Sequence, residues 1–330
     1  MHALSSCPSP PRSNMLCIVL SFNGIEDTVH CLNSIYSQPK RFDVLVIDNG
    51  SQPGVVAQLE QRFPEADIVS LAENFGWAGG NNAGIKLGLE RGYEWICLLN
   101  NDLVFPEGAV DAWIEATDNL APCLLNPTIY YWDEPSVAQL HPSLDGNTVS
   151  VAPHLSGNLV LRYAYGACLG VHRSVFEQVG LFDERFFLQL EETDFYTRAQ
   201  RFGYVAVCTP SVKIFHKESR AFGGTAAPIK TYYATRNHML LTSKSQQGLK
   251  NKLREWKYLY WTLRELAAVK RQRRALRPDQ FVRWLMSAAP SAKAIRFAFL
   301  DYFTSRFGRI SAKHHAALKA SEAAETVNKI

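Results

Sequence analysis

Short apolar segments alternate with helical patterns through the first third of this sequence, and this alternation restricts the fold more than any other feature. The segments LCIVLSF, FDVLVIDNGS, ADIVSLA and WICLL are typical of strands, and the segments between them, DTVHCLNSIYSQ, VVAQLEQRF and AGGNNAGIKLGLERG, are typical of helices. Strands and helices in this order predict an α/β fold with a mostly parallel central sheet flanked by helices.

Polar residues stand at the ends of three of these strands. Asn23 follows the first strand, Asp48 and Asn49 close the second, and Asn100–Asp102 follow the fourth. A single Asn or Asp at such a place is explained by its role as a turn or capping residue. Three such ends indicate more, because the carboxyl ends of parallel strands share one rim, where α/β sheets bind ligands. The pattern therefore predicts a binding site at this rim.

The segment AENFGWAGGNNAG adds glycines close to the predicted rim. Gly76, Gly79 and Gly80 allow the backbone to approach a ligand closely and allow amides to face an anion. The segment lacks the GxxxxGK[ST] pattern, and no GxGxxG follows the first strand. Nucleotide kinases and dinucleotide-dependent oxidoreductases are therefore disfavoured.

Charged residues divide the chain of 330 residues into two parts. Residues 244–330 contain 19 basic and 6 acidic side chains, a net charge of +13, whereas residues 1–243 contain 16 basic and 25 acidic side chains, a net charge of −9. With 47% hydrophobic residues, the chain can bury a large core. We predict a disordered leader at 1–14, a main domain at 15–243 and a basic helical region at 244–330.

The cysteines and the start of the chain indicate a cellular compartment. Seven cysteines occur without a CxxC pair, and most lie in apolar segments, which is typical of a reducing environment. The Ser- and Pro-rich start lacks the apolar core of a signal peptide, and no segment approaches the roughly 18 apolar residues of a membrane span. We therefore expect a cytoplasmic protein with neither a signal peptide nor a membrane-spanning helix.

Six segments that follow one another along residues 15–243 carry a resemblance to a known family. They are VLSFNGIEDTVHCLNSI, VLVIDNGS, NFGWAGGNNAGI, LLNNDLVFPEGAV, YGACLGVHRSVFEQVGLFDERFF and EETDFYTRAQRFGY. Together they resemble family 2 glycosyltransferases of the Rossmann-like GT-A fold, and most nearly the bacterial rhamnosyltransferase-like members. The resemblance implies a nucleotide-diphospho-sugar donor, a divalent metal and inversion at the anomeric carbon.

The resemblance implies a metal site at the end of the fourth strand. Asp102 matches the last carboxylate of the family's DxD motif and is expected to bind Mg²⁺ or Mn²⁺ that bridges the diphosphate. Asn100 stands where many relatives carry Asp, which leaves one carboxylate fewer and predicts weak metal binding by the protein alone. His216 matches a later histidine that completes the metal shell, and a structural role at a strand end is the alternative.

The resemblance also assigns residues to the donor. Asp48 corresponds to the aspartate that binds the nucleobase, with strand-end capping as its alternative role. The other residues predicted to contact or shape the donor pocket are Asn23, Asn74, Gly76, Asn81, Asn100, Asn101 and Arg236. For Arg236, contact with a phosphate and a structural ion pair are equal alternatives.

Proton removal from the acceptor hydroxyl requires a base, and the segment EETD supplies three acids at a predicted helix start. The family pattern places the base at the second acid, so Glu192 is the first candidate and Glu191 the second. Asp194 is predicted on the acceptor side, with an i,i+4 ion pair to Arg198 as its alternative. Two further residues predicted on the acceptor side are Gly166 and Ala167.

The basic region contains two predicted amphipathic helices. Their apolar residues at helical spacing are Leu249, Leu253, Trp256, Tyr260 and Leu263, and Ile295, Phe299, Tyr302 and Ile310, with the basic Arg306 among the second set. Packing onto the main domain explains the apolar faces, but it does not explain KRQRRALR at 270–277 or the net charge. We therefore expect a peripheral enzyme on the inner face of a bacterial cytoplasmic membrane, bound to anionic lipid.

The predicted function is transfer of rhamnose from dTDP-rhamnose to a saccharide or lipid-linked saccharide in cell-envelope polysaccharide synthesis. Alternatives are a UDP-hexose or UDP-galactofuranose transferase of the same fold, and a non-catalytic nucleotide-sugar-binding module, which the acid cluster argues against. A nucleotidyltransferase is disfavoured because SFNGIED stands in place of its GxGTRL-type loop. No nucleic-acid motif accompanies the basic region, so no nucleic-acid partner is expected.

Overall fold

The computed structural model describes residues 13–39, 43–140, 148–151, 159–217, 227–244, 248–269 and 276–327. The chain divides into two compact units, the first formed by Met1–Phe182 with Glu192–Ser219 and the second by Asp183–Glu191 with Arg220–Ile330. The second unit therefore begins before the predicted boundary at residue 244, and it includes a short segment from the middle of the chain. Most of the predicted leader at 1–14 lies outside the described residues.

Strands and helices alternate in the first unit. Its strands are β1 (Met15–Ser21), β2 (Asp43–Asp48), β3 (Asp67–Ser70), β4 (Trp95–Asn100), β5 (Leu103–Val104), β6 (Leu124–Tyr131), β7 (Ala138–Leu140), β8 (Thr148–Val151), β9 (Leu159–Leu161), β10 (Cys168–His172) and β11 (Ala206–His216). Its helices are α1 (Ile25–Tyr36), α2 (Val55–Arg62), α3 (Gly76–Glu90), α4 (Ala109–Thr117), α5 (Arg173–Val179) and α6 (Glu191–Gln200). Every element predicted before Asp102 is present.

The strands form one sheet in the order β3-β2-β1-β4-β10-β6-β11-β9-β8, with β5 paired to β11 and β7 paired to β6. The strands from β3 to β4 are parallel, and β6 is parallel to β11. The remaining pairs are antiparallel. Short connections such as that between β6 and β7 return the chain antiparallel, because a parallel return needs a longer crossover. The α/β class is confirmed, and the sheet is mixed beyond β4.

Helix α3 lies close to the sheet because its glycines face the strands. A Cβ atom at Gly80 would lie 2.5 Å from Leu20 Cδ1, and one at Gly84 would lie 2.8 Å from Ile18 Cγ2. Gly88 continues the same face one turn later, since residues four apart share one side of a helix. Gly80 therefore allows the helix to approach β1, which corrects its interpretation as a point of approach for a ligand.

The second unit is helical where it is described. Its helices are α7 (Pro228–Lys244), α8 (Leu249–Val269), α9 (Pro278–Leu285), α10 (Pro290–Phe303) and α11 (Ala312–Val327). Two buried apolar clusters hold them, one around Met239, Leu263 and Trp284 and one around Tyr232, Tyr233 and Leu318. Helix α10 ends at Phe303, so Arg306 and Ile310 lie beyond the helix that their spacing predicted. Among the described helices, none combines the length and the apolar character that crossing a membrane requires.

Six of the seven cysteines lie in the described part of the chain. All six are buried free thiols, namely Cys17, Cys31, Cys97, Cys123, Cys168 and Cys208. Burial raises the pKa of Cys31 to about 12, so this thiol stays neutral in the core. The cysteines thus pack as small apolar residues, as their sequence context predicts.

Candidate active site

The ends of β4 and β11 bring Asp102 and His216 together. Leu103 pairs with His216 in the antiparallel ladder of β5 and β11, and Lys217 N donates a hydrogen bond to Asp102 O at 3.0 Å. His216 Nε2 consequently lies 3.1 Å from Asp102 Oδ1, and the two side chains are only 6% and 5% exposed. Strand register therefore places the two predicted metal ligands side by side.

This pair fits a divalent metal. Both carboxylate oxygens of Asp102 and Nε2 of His216 are buried, and apart from the 3.1 Å contact between Oδ1 and Nε2 none of the three atoms has a hydrogen-bond partner among the described residues. Leaving such groups unsatisfied costs about 1–3 kcal/mol each, and a bound cation would satisfy them. Carboxylate oxygen and imidazole nitrogen are both metal ligands. Within the described ranges no group of three or more His, Cys, Asp or Glu side chains could hold a metal, and the two side chains that meet here are Asp102 and His216.

The two asparagines before Asp102 bond to neighbouring elements. Trp77 Nε1 donates to Asn100 Oδ1 at 3.1 Å. Asn101 Nδ2 donates to Thr28 Oγ1 at 2.9 Å, which ties the turn after β4 to the start of α1. Asn101 thus supports the loop that carries Asp102, and its contact with a donor stays a prediction.

Asp48 closes β2 and is 3% exposed. Its Oδ2 accepts a hydrogen bond from Ser51 N at 3.3 Å, whereas its buried Oδ1 accepts none from the described residues. Asn23 supports the same loop, because its Oδ1 accepts from Gln52 N and its own N donates to Ser51 Oγ, each at 2.8 Å. Capping therefore accounts for one oxygen of Asp48 and leaves the other for a ligand donor.

Asn49 organises a second loop on this rim, although the sequence pattern gives it no role of its own. Its Nδ2 donates to Gly76 O at 2.9 Å, and its Oδ1 accepts from Phe75 N at 3.0 Å. Asn74 Oδ1 accepts from Gly76 N at 2.7 Å, and Gly76 adopts a φ of 73° that favours glycine. Asn81 Nδ2 bonds the α3 backbone one turn earlier, and its buried Oδ1 accepts nothing from the described residues. Asn74, Gly76 and Asn81 thus belong to one ordered loop and helix start.

The order of the strands in the sheet explains why the loops after β2 and β4 lie at the same edge. β1 has β2 on one side and β4 on the other, so the direction of strand order changes there. Asp48 follows β2 and Asp102 follows β4. Sites in α/β sheets form at such a switch point, beyond the carboxyl ends of the strands.

Glu192 lies beside Gly166 and Trp77 in the first unit. A Cβ atom at Gly166 would lie 3.4 Å from Trp77 Cζ2 and 3.5 Å from Glu192 Cγ. These are ordinary contact distances, so Gly166 borders a narrow gap between the indole and the candidate base. The next residue, Ala167, is buried, and its carbonyl accepts a hydrogen bond from Asn100 N at 2.9 Å.

The surroundings of Glu192 suit a general base. Burial raises the pKa of Glu192, whereas the backbone amides of Glu192 and Thr193 oppose the rise. The Thr193 hydroxyl, which donates to Glu192 Oε1 at 3.2 Å, opposes it too. A raised pKa makes the ionised carboxylate a stronger proton acceptor.

Two further acids flank Glu192 in α6. Asp194 is 2% exposed, and its Oδ2 accepts from Arg198 Nε at 2.9 Å. The predicted i,i+4 contact is present and partly buried, because the Arg198 side chain is 21% exposed. Glu191 is 4% exposed and belongs to the second unit, whereas Glu192 belongs to the first.

Arg236 is buried inside the second unit, with its guanidinium bonded to backbone carbonyls. Nη1 donates to Gly308 O at 2.7 Å, and Nη2 donates to Phe186 O at 3.0 Å. The adjacent Asn237 Nδ2 donates to Phe186 O at 2.8 Å and to the carbonyls of residues 188 and 189. Three residues of this segment have positive φ without being glycine, namely Phe187, Gln189 and Leu190. Arg236 thus helps to hold a strained backbone, which favours a structural role over contact with a phosphate.

The sequence of this chain is similar to those of known proteins. Residues 17–180 match the family described as Glycosyl transferase family 2. The chain is 26% identical over 259 residues to N-acetylglucosaminyl-diphospho-decaprenol L-rhamnosyltransferase of Mycobacterium tuberculosis, an alignment covering 69% of this chain and 81% of the relative. It is 24% identical over 258 residues to the dTDP-rhamnosyl transferase RfbF of Shigella flexneri, covering 74% and 85% of the two chains.

Solved structures match in fold. S. aureus TarS 1-349 has a TM-score of 0.54 at 13% identity, with 88% of each chain covered. The mannosyltransferase PcManGT from Pyrobaculum calidifontis, in complex with GDP-Man and Mn²⁺, has a TM-score of 0.53 at 16% identity, with 100% of this chain and 92% of that chain covered. At these identities the likeness shows the fold alone. The strand order and this likeness identify the GT-A fold, and the sequence matches identify a glycosyltransferase whose residues 17–180 match family 2 and which resembles rhamnosyltransferases.

Proposed function

We propose that this enzyme is an inverting, metal-dependent rhamnosyltransferase that uses dTDP-rhamnose. Its proposed acceptor is a saccharide or lipid-linked saccharide of the bacterial cell envelope. The observation that carries the proposal is the buried pair of Asp102 and His216, whose facing atoms have no other hydrogen-bond partner among the described residues. The names of two relatives, both of which specify rhamnosyl transfer, support the choice of donor sugar.

The rim of the sheet supplies groups for each part of the donor. Asp48 Oδ1, which accepts no hydrogen bond from the described residues, would accept one from the nucleobase, and Asp102 with His216 would hold Mg²⁺ or Mn²⁺ against the diphosphate. When bound, the divalent cation neutralises the charge that develops on the departing diphosphate. The hydrogen bond from Trp77 Nε1 to Asn100 Oδ1 fixes the last residue of β4. This bond would keep the turn that carries Asp102 in place while the donor reacts.

Glu192 performs the proton transfer in this proposal, with Glu191 as the second candidate. The carboxylate takes the proton of the acceptor hydroxyl, and the acceptor oxygen forms a bond to the anomeric carbon. The bond from that carbon to the diphosphate oxygen breaks, and its electron pair leaves with the nucleoside diphosphate. Because attack and departure occur on opposite faces of the carbon, one displacement inverts its configuration.

Thermal unfolding in the presence of nucleotide sugars tests the donor. With Mn²⁺ present, dTDP-rhamnose at about 100 times its Kd is expected to raise the free energy of unfolding by about 2.7 kcal/mol. UDP-hexoses, UDP-galactofuranose and GDP-mannose serve as comparison ligands, and dTDP-rhamnose without metal reports the contribution of the cation. Greater stabilisation by a UDP sugar would replace rhamnose with one of the alternative donors. Absence of any shift would contradict nucleotide-sugar binding.

One face of α8 supports a membrane-bound location. Leu249 is 74% exposed, Leu253 is 59% exposed and Trp261 is 47% exposed. The exposed basic residues of the same helix are Lys250, Arg254 and Lys257. Exposed apolar and aromatic side chains interleaved with basic ones suit the interface of an anionic bilayer. We infer that this face, residues 249–261, contacts the inner leaflet, where a lipid-linked acceptor would lie. Residues 270–275, most of the predicted basic segment KRQRRALR, lie outside the described residues.

Liposome flotation of the full-length protein tests the membrane contact. Strong binding is expected to anionic vesicles at low salt, and weak binding to neutral vesicles or at high salt. Changing Lys250, Arg254 and Lys257 together to Gln is expected to lower the partition coefficient about 10²-fold, because each basic residue contributes about 1 kcal/mol near anionic lipid.

The matched control changes three exposed basic residues of the first unit to Gln, namely Arg62, Lys86 and Arg201. It removes the same net charge and is expected to float like the wild type. Equal flotation with neutral lipid, or equal loss in the two triple variants, would contradict binding through α8.

A further inference from the structure

Gln139 on β7 lies behind His216, in an interval to which the sequence pattern assigns no site. β7 pairs with β6, and β6 runs parallel to β11, so the sheet carries Gln139 to the end of β11. Its Oε1 lies 2.7 Å from His216 Nδ1 and 3.2 Å from the Tyr165 hydroxyl. The side-chain amide therefore meets the ring nitrogen that faces away from Asp102.

In the neutral ring of His216, this contact determines which nitrogen carries the proton. An amide oxygen only accepts hydrogen bonds, so Nδ1 must donate, and the lone pair of the neutral ring is then on Nε2. Nε2 is buried and faces Asp102 Oδ1 at 3.1 Å. In this neutral tautomer the two facing atoms are both acceptors and repel each other, and a cation bound to both removes the repulsion.

Tyr165 supports this orientation of the Gln139 amide because its hydroxyl donates to the same oxygen. Tyr165 is in turn held by Asn126, whose Oδ1 accepts from Tyr165 N at 3.2 Å and whose Nδ2 donates to Tyr165 O at 2.9 Å. The opposite tautomer of His216 would place an N–H against Asp102 Oδ1. That hydrogen bond would occupy both groups and leave neither for a metal.

We propose that Gln139 is a positioning residue that selects the Nδ1–H tautomer of His216 and so presents Nε2, together with Asp102, to a divalent cation. The inference rests on the metal role in the proposed function. Hydrogen bonds from a second residue to a metal-binding histidine change metal affinity by about 10–100-fold, and this range is the effect expected for Gln139.

Two measurements without turnover test the proposal. The chemical shifts of the imidazole nitrogens in metal-free protein at alkaline pH report the tautomer, and a His216→Asn variant identifies the His216 signals. Wild-type protein is expected to show the Nδ1–H form. Mn²⁺ binding measured with dTDP present is expected to weaken about 10–100-fold in Gln139→Leu, which removes the acceptor oxygen.

Gln139→Glu keeps an acceptor oxygen and is expected to retain the wild-type tautomer. Gln58→Leu makes the same chemical change on the exposed side of α2 and is expected to alter neither measurement. An Nε2–H tautomer in the wild type, or a Gln139→Leu variant with unchanged tautomer and Mn²⁺ affinity, would overturn the proposal. Wild-type protein that shows the Nδ1–H form but binds no Mn²⁺ would instead overturn the metal role on which it rests.

Discussion

Replacing Asp102 by Asn is expected to reduce kcat by at least about 10³-fold, or about 4 kcal/mol in the activation barrier, without loss of the fold. The amide preserves the shape of the side chain but lacks the charge that would hold a cation at the departing diphosphate. Apart from His216 Nε2 at 3.1 Å, the carboxylate oxygens meet no hydrogen-bonding group of the described residues, and the amide oxygen of Asn can keep that contact. Because a buried charge without compensation costs free energy, the metal-free variant is expected to be at least as stable as the wild type.

The measurements are kcat from release of dTDP, Mn²⁺ affinity and the thermal unfolding midpoint. Asp67→Asn is the matched control, because it removes a carboxylate of the first unit that pairs with Arg91 at the surface. Its turnover is expected to be unchanged, since exposed ion pairs contribute little to stability. A well-folded Asp102→Asn enzyme with normal turnover would rule out the metal role, and a destabilised one would indicate a structural role for the carboxylate.

The fold of the first unit was predictable because burial leaves a direct mark on the sequence. Strands buried on both faces appear as continuous apolar runs, as in the core of β1 and β4, and the helices between them imply parallel neighbours. The same pattern predicted the rim of the site, since the carboxyl ends of parallel strands lie at one edge of the sheet. Later strands gave a weaker signal because β7 and β9 span three residues each.

The partners of individual polar groups could not be predicted in the same way. Asn101 and Asp102 are adjacent and similar in size, yet one bonds to Thr28 while the other faces His216. Which of them is available to a ligand depends on strand register and on residues more than 70 positions away. No sequence pattern marks Gln139 for the same reason, because only the pairing of β7 with β6 brings it to the end of β11.

The boundary predicted from composition differs from the boundary between the two units in the structure. The change from acidic to basic composition near residue 244 is real, but the helix before it belongs to the second unit. Arg236 and Asn237 of that helix donate to carbonyl groups of residues 185–189 and so bring this segment into the second unit. The charge pattern along the sequence reflects mainly the solvent-exposed residues. The unit boundary depends instead on buried hydrogen bonds, which join segments about 50 residues apart in the sequence.

Replacing Glu192 by Gln is expected to lower kcat by about 10²-fold or more while leaving donor affinity unchanged. The amide has nearly the same size as the carboxylate, so the narrow gap at Gly166 and the contact with Thr193 persist. It cannot take a proton from the acceptor hydroxyl. The donor groups at Asp48 and Asp102 lie on other elements, so the Kd of dTDP-rhamnose, measured by thermal shift or calorimetry, should not move.

The pH dependence gives an independent signature of the same residue. Burial raises the pKa of Glu192 above its ordinary value of 4.5, and the base acts only when ionised. In the wild type kcat/KM should therefore be constant above the raised pKa and fall about tenfold per pH unit below it. This acid limb should disappear in Glu192→Gln and persist in Glu177→Gln, a control that removes an exposed carboxylate paired with Arg173. If Glu192→Gln retains both wild-type kcat and the limb while Glu191→Gln loses both, the base is the first acid of α6, in the second unit, and not the second.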